Sequence, residues 1–223
     1  MNLRYSCLIL DHDDTAVDST SEIHYPAHVE VMRRLRPDNT PVSLENWFRK
    51  NFDPGIMNFL RQELDFNDDE IEVEFEVWRE YTAGITPEFF PGFLDIIREF
   101  RNRGGIVTVV SHSEADTIRR HYETATNGNV FLPDTIHGWT MEAEKRKPNP
   151  YPVHEILREY NLSSEDVLVV DDLKPGVEMA KAAGVPIAAA GWSHQISEIR
   201  QYMKRHCEAY FPDIESFGRF ILN

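Results

Sequence analysis

Two short aliphatic runs in this chain each stop at clustered aspartates. Residues 7–14 read CLILDHDD and residues 167–172 read VLVVDD. A segment that is apolar on both of its alternating faces is covered on both sides when folded, the habit of a strand in a parallel sheet flanked by helices. The aspartates then fall at the carboxyl ends of strands. Asp11, Asp13, Asp14 and Asp18 crowd the first of these ends, and carboxylates so close together repel one another unless water or a cation offsets their charge.

Four apolar, β-branched runs predict strands at residues 6–10, 106–110, 167–170 and 185–189. Helical signals lie between them. Ser113 with Asp116 makes a cap-like pair ahead of Ile118 and Tyr122, Pro175 suits the first turn of a helix, and Gly184 suits its end. From residue 91 onward the alternation of strand and helix indicates a doubly wound, Rossmann-like α/β domain with a parallel sheet.

The interval after the first strand breaks this alternation. Val31, Met32 and Leu35 share a helical face, as do Ile56, Phe59 and Leu60, and Ile71, Phe75, Trp78 and Ile85 follow at helical spacing. Residues 71–77, IEVEFEV, also alternate like a strand. The acidic, cap-like start Asn67, Asp68, Asp69, Glu70 and the continuation of the stripe past Trp78 favour a helix. Pro26 predicts a helix start or a kink close to it. The expected organisation is an α/β core of residues 1–17 and 90–223 interrupted by an all-helical insertion, residues 18–89, placed to cover the acidic strand ends.

At 223 residues the chain is long enough to bury a core. Its formal charge of −15 argues against nucleic-acid binding, which needs a basic face. Two cysteines, Cys7 and Cys207, form neither a disulfide framework nor a zinc pattern and suit a reducing cytoplasm. The first apolar run meets Asp11 too early for a signal sequence, and no apolar stretch approaches a membrane span. The expectation is a soluble, cytoplasmic protein with no membrane partner; the sequence leaves oligomeric state open.

At the strand ends stand Asp11 and Asp13, then Ser111, then Asp171 and Asp172, with Lys147 before Pro148 in an intervening loop. That set suits phosphoryl transfer from a monoester. Carboxylates from two strands hold a hard cation such as Mg²⁺, which prefers oxygen ligands. Asp11 attacks phosphorus to give an aspartyl phosphate. Asp13 protonates the leaving alkoxide and later takes a proton from water. Ser111 and Lys147 bind the phosphoryl oxygens.

These residues resemble the haloacid dehalogenase-like hydrolase superfamily, whose four motifs stand here as DHDDT at 11–15, VTVVS at 107–111, KPNP at 147–150 and VVDDLKPGVEMAKAAG at 169–184. The helical insertion resembles the family's C1 cap, as in its C1-capped phosphatases and the branch similar to β-phosphoglucomutase. The resemblance implies Asp11 as nucleophile, Asp13 as acid/base, Ser111 and Lys147 as phosphate ligands, and Mg²⁺ held by Asp11, the Asp13 main-chain carbonyl and Asp172, with Asp171 beside them. Two departures stand out. Asp14 replaces the usual Gly, and Pro175 and Gly176 occupy positions where some members carry a further Asp. Asp18, Ser19 and His24 resemble the Asp-Ser/Thr…His element of the sugar-phosphate mutases with one extra residue, which makes His24 a candidate substrate contact.

Plainer readings compete. Asp11, Asp13, Thr15 and Glu22 match positions of a calcium-binding EF-hand loop, but Ala16 stands where that loop needs Gly. Asp14 and Asp18 are expected in a solvated turn, Arg49 and Lys50 on a solvated face, and Trp192 and His194 in rim packing. The expected function is Mg²⁺-dependent hydrolysis of a small phosphorylated metabolite. A phosphomutase and a non-catalytic metal-binding or regulatory module are the alternatives, and a dehalogenase fits less well because a departing halide needs no proton, which leaves Asp13 without an evident job.

Overall fold

A computed structural model describes residues 3–125 and 131–223 of the chain. Contacts divide it into two compact units, Met1–Asp18 with Glu88–Asn223, and Ser19–Pro87. The first unit is a six-stranded sheet in the order β3-β2-β1-β4-β5-β6, with every neighbouring pair parallel. The central strand β1 (Cys7–Leu10) pairs Leu8 with Val107 of β2 (Ile106–Val110) on one side and with Leu168 of β4 (Val167–Asp171) on the other. Beyond them lie β3 (Thr135–His137), β5 (Ile187–Ala190) and β6 (Ala209–Phe211).

Helices cover both faces of this sheet. Leu8, Leu10, Val107, Val109, Leu168 and Val170 pack in one core with Phe93, Ile97 and Phe100 of the helix Phe93–Asn102, Ile118 and Tyr122 of Ala115–Ala125, and Phe217 and Ile221 of Ile214–Leu222. On the other face the helix Lys174–Ala183 packs against β4 and β5, with Tyr151–Glu159 and Ser197–His206 beside it. Pro175 lies in the first turn of Lys174–Ala183, and Gly184 ends it at φ 70°, a left-handed conformation in which glycine carries no Cβ penalty.

Two strands, β3 and β6, have no counterpart in the sequence reading. Each is three residues long, and their mostly half-buried side chains lack the apolar run that marks the central strands. The strand expected at 185–189 begins later, at Ile187, because Pro186 precedes it and offers only its carbonyl, which accepts from the Val169 N–H at 2.9 Å.

The second unit is helical among its described elements: Tyr25–Leu35, Leu44–Phe52, the short turn Ile56–Asn58 and Asp68–Gly84, with π-helical turns at Thr20–His24 and Phe59–Glu63. Residues 71–77 are helix. A capping box settles that choice: the Glu70 N–H donates to Asn67 Oδ1 and the Asn67 N–H to Glu70 Oε2, both at 3.0 Å. Pro26 falls in the first turn of Tyr25–Leu35, where its missing N–H costs nothing. Ala27, Val31, Met32, Trp47, Phe59, Leu60, Phe66, Ile71 and Val77 form this unit's own core. Among the described residues no helix is long and apolar enough to cross a membrane.

Candidate active site

The parallel sheet brings the carboxyl ends of β1, β2 and β4 side by side, because β1 lies between the other two. Asp11 follows β1, and its N–H still donates to the Val170 carbonyl at 2.8 Å. Ser111 follows β2, its N–H bound to the His137 carbonyl at 3.0 Å. Asp171 ends β4 and Asp172 comes next. The sheet ladder therefore places the backbone of every one of these groups before any side chain is considered.

Lys147 joins two of them. Its Nζ lies 2.7 Å from Asp11 Oδ1 and 2.9 Å from Asp171 Oδ2, with all three side chains buried. Burial alone disfavours the ammonium, yet the two carboxylates raise its pKa above the ordinary lysine value, so it stays charged. Burial pushes the Asp11 carboxyl up to about 8, with Lys147 pulling the other way and Asp171 and Asp13 adding repulsion. The loop that carries Lys147 is tied down by His112, whose Nε2 donates to the Lys147 carbonyl at 2.9 Å. Burial holds that imidazole near 4, so it is neutral.

Asp171 is seated by its neighbours. The Leu173 N–H donates to Asp171 Oδ1 at 2.9 Å, and a Cβ on Gly176 would lie 2.1 Å from Asp171 Cγ. Only glycine lets the first turn of that helix approach so closely, which accounts for Gly176 in the fourth motif. Asp172 is 2 % exposed, and its Oδ1 is 3.5 Å from the Thr15 hydroxyl. Its Oδ2 is buried and has no hydrogen-bond partner. His194 Nε2 stands 3.8 Å from that oxygen, but burial lowers this imidazole to about 4 and leaves it uncharged. Burial raises the Asp172 pKa well above the carboxylate range, and the charges of Asp14, Asp171 and Asp11 add to the effect.

Ligand oxygens of Asp11, Asp171 and Asp172 all lie within 4.8 Å of one another. Ionised together, three buried carboxylates facing one ammonium would leave negative charge uncompensated, which with burial raises the Asp11 and Asp172 pKa values, and Asp172 Oδ2 is a buried oxygen without a donor. The donor set is hard oxygen throughout. These residues fit a divalent cation of the Mg²⁺ type.

Asp13 is half-buried. Its Oδ2 accepts from Ser113 Oγ at 2.6 Å and from Ser111 Oγ at 3.2 Å. The structure thus brings together Asp11, Asp13, Ser111, Lys147, Asp171 and Asp172 in one unit. Asp14 departs from expectation: it is 4 % exposed rather than solvated, at φ 58°, with its N–H bound to the Val17 carbonyl at 2.8 Å. The tight turn after β1 folds it inward, whereas Asp18 is exposed as expected. Trp192 donates from Nε1 to the Thr15 carbonyl at 3.1 Å, bracing the same turn. Ser113 and His112 were not read as neighbours of this cluster because each is ordinary in sequence, whereas Asp14 was noted as a departure from the motif but expected in solvent and His194 was expected in rim packing. For Ser113 and His112, only their distance from a strand end hinted at a role.

His24 belongs to the helical unit. It closes the π-helical turn Thr20–His24, where its N–H donates to the Ser19 carbonyl five residues back at 3.3 Å. The Trp78 indole donates to His24 Nδ1 at 3.0 Å, which leaves the proton of the neutral ring on Nε2. Arg49 pairs with Glu45, and Lys50 with Glu63 at 2.5 Å, as members of a solvated face do.

Residues 8–190 match the haloacid dehalogenase-like hydrolase family, and the chain belongs to it. The phosphoglycolate phosphatase of Vibrio cholerae is 23 % identical over 184 residues, covering 79 % of this chain and 80 % of that protein. A haloacid dehalogenase-like family hydrolase from Streptococcus pneumoniae superposes with a TM-score of 0.74 at 18 % identity, over 97 % of this chain and 99 % of that one. A protein assigned as a β-phosphoglucomutase from Bacteroides vulgatus superposes with a TM-score of 0.72 at 18 % identity, over 96 % and 86 %. At these identities the two structures establish a shared fold.

Proposed function

We propose that this protein is a Mg²⁺-dependent phosphatase of a small phosphorylated metabolite, acting through an aspartyl phosphate on Asp11. The observation that carries the reading is Lys147 Nζ held between Asp11 and Asp171 while Asp172 keeps a buried oxygen without a donor. Such a site has charge arranged for an anionic substrate and a cation together.

Asp11 attacks phosphorus in line, and the P–O bond to the leaving group breaks. Asp13 gives its proton to the departing alkoxide, then takes one from the water that cleaves the aspartyl phosphate and restores Asp11. Ser111 and Lys147 donate to the phosphoryl oxygens as their charge shifts. Asp11, the Asp13 carbonyl, Asp171 and Asp172 would hold Mg²⁺, which when bound lets an anionic carboxylate approach an anionic ester. The helical unit, residues 18–89 in the sequence reading, acts as the family's cap and selects the leaving group, with His24 as a candidate substrate contact. A cytoplasmic location suits the two free thiols, Cys7 and Cys207.

Curated relatives that bear the name phosphoglycolate phosphatase make phosphoglycolate the first substrate to test. Phosphate release is measured from phosphoglycolate, sugar phosphates, nucleotides and nitrophenyl phosphate, with Mg²⁺ or chelator. One metabolite is expected to turn over with kcat/KM above about 10⁴ M⁻¹s⁻¹, and Asp11→Asn to lose at least ~10³-fold. Undiminished turnover by Asp11→Asn overturns the mechanism.

A further inference from the structure

Ser113 sits where a helix cap is expected, but its hydroxyl is engaged elsewhere. It donates to Asp13 Oδ2 at 2.6 Å, the length of a charge-assisted O–H···O bond, and the residue is 3 % exposed. The Ser113 N–H donates to Ser111 Oγ at 3.0 Å. Residues 111–113 therefore form a small knot in which Ser113 touches both the acid/base and the phosphate ligand.

The knot is anchored from outside. The Trp139 N–H donates to the Ser113 carbonyl at 2.8 Å. A Cβ on Gly138 would lie 2.7 Å from that carbonyl oxygen and 2.4 Å from the Ala115 nitrogen, so the chain leaving β3 rests directly on this segment. Ser113 is held by the segment that directly follows β3.

Hydroxyl accounting then separates the two serines. A serine has one proton to donate. Ser111 Oγ, now 3.2 Å from Asp13 Oδ2, cannot give that proton to Asp13 and to a phosphoryl oxygen at once. Ser113 faces no such conflict. Two donors converging on Oδ2 also decide how a protonated Asp13 is arranged: Oδ2 acts as the carbonyl oxygen and Oδ1 bears the proton.

We infer that Ser113 is a positioning residue for the acid/base, holding Asp13 by Oδ2 through the cycle so that Ser111 can turn to the phosphoryl group and Oδ1 delivers the proton. The inference rests on the reading of Asp13 as acid/base. Its signature is dependence on the leaving group, since an alkoxide needs the proton and a nitrophenolate scarcely does.

The test measures kcat/KM, which covers the steps through departure of the leaving group, for an alkyl phosphate and for nitrophenyl phosphate with Mg²⁺. Ser113→Ala should lose about tenfold or more on the alkyl ester and less than about threefold on the aryl ester. Ser113→Thr, which keeps the hydroxyl, should recover most of the loss. Asp13→Ala/Ser113→Ala should be no slower than Asp13→Ala, because nothing remains to be positioned. Equal losses on both esters, or a double variant slower by the product of the single losses, overturns the positioning role while the aspartyl-phosphate mechanism stands. Activity in Asp11→Asn would instead overturn that mechanism.

Discussion

Lys147, Asp11 and Asp171 in the α/β unit form an ion triad whose side chains are 5 %, 7 % and 2 % exposed. In the helical unit Glu30 pairs with Arg33 and Arg34, each at 2.7 Å, but these side chains are 18 %, 71 % and 36 % exposed. The bond lengths are alike and the surroundings differ. Water screens the helical pairs, so they add little and cost little. The α/β triad has given up its hydration, which folding alone does not reward. Charge is buried at the sheet's carboxyl edge at the expense of stability, and the proposed phosphoryl transfer would give a reason to keep it there.

The largest effect should come from breaking the buried triad. Lys147→Met leaves Asp11 and Asp171 buried without their cation, and should destabilise the metal-free protein by about 3–5 kcal/mol in chemical denaturation as well as abolish turnover. A loss below about 1 kcal/mol would mean that the α/β triad is as screened as the helical pairs.

Mg²⁺ should sharpen the contrast. At one hundred times its Kd the ion adds about 2.7 kcal/mol, or roughly 5–10 °C in Tm for a chain of this size. Amide exchange should show the protection in the α/β unit. Chelator reveals a further sign. The Asp11 carboxyl moves from its usual 3.8 to about 8 in the folded state, so between these values the native chain holds a proton that the unfolded chain has released. Its contribution is complete below about 4 and is lost as pH rises through about 8. His112 and His194, buried and lowered to about 4, contribute above 6.5 and lose that contribution as pH falls toward 4. Subtracting the Mg²⁺ curve from the chelator curve isolates the carboxylates, and the difference should widen with rising pH. A constant difference from pH 5 to 8 would contradict the burial argument.

Asp14→Gly should stabilise the metal-free protein by about 1–2 kcal/mol, since glycine accepts φ 58° without strain and removes a charge that opposes Asp172. Calorimetric titration should show weaker Mg²⁺ binding in the same variant. Arg34→Met marks the quiet end of the scale: with its partners Glu30 and Glu80 solvated, Tm should move by no more than ~2 °C.

The central strands were legible because strands buried on both faces are nearly all apolar, and β1, β2 and β4 are so apart from Thr108, whose hydroxyl donates to the Leu8 carbonyl, and the terminal Asp171. The edges were not. β3 and β6 are short and mostly half-buried, and their pairing is imposed by the neighbouring strand rather than by their own side chains. Ser113 shows the same limit in the site. Its spacing from Asp116 satisfies a cap pattern, yet a hydroxyl takes the strongest acceptor within reach, and that acceptor is Asp13, 100 residues away in sequence. Asp14 was expected in water because its neighbours are polar. The turn instead folds it under.

By itself the sequence determined the chemical inventory and its placement at strand ends: periodicity dictates which side chains are buried, and a break in periodicity marks where a strand stops. What only the tertiary structure decided is who meets whom. Lys147 meets Asp11 across 136 residues and Asp171 across 24, and Thr15 approaches Asp172 across 157. Those meetings depend on β1 lying between β2 and β4. Strand order is set by how the crossover helices pack on the two faces, a cooperative choice of the whole core that no local stretch of sequence encodes.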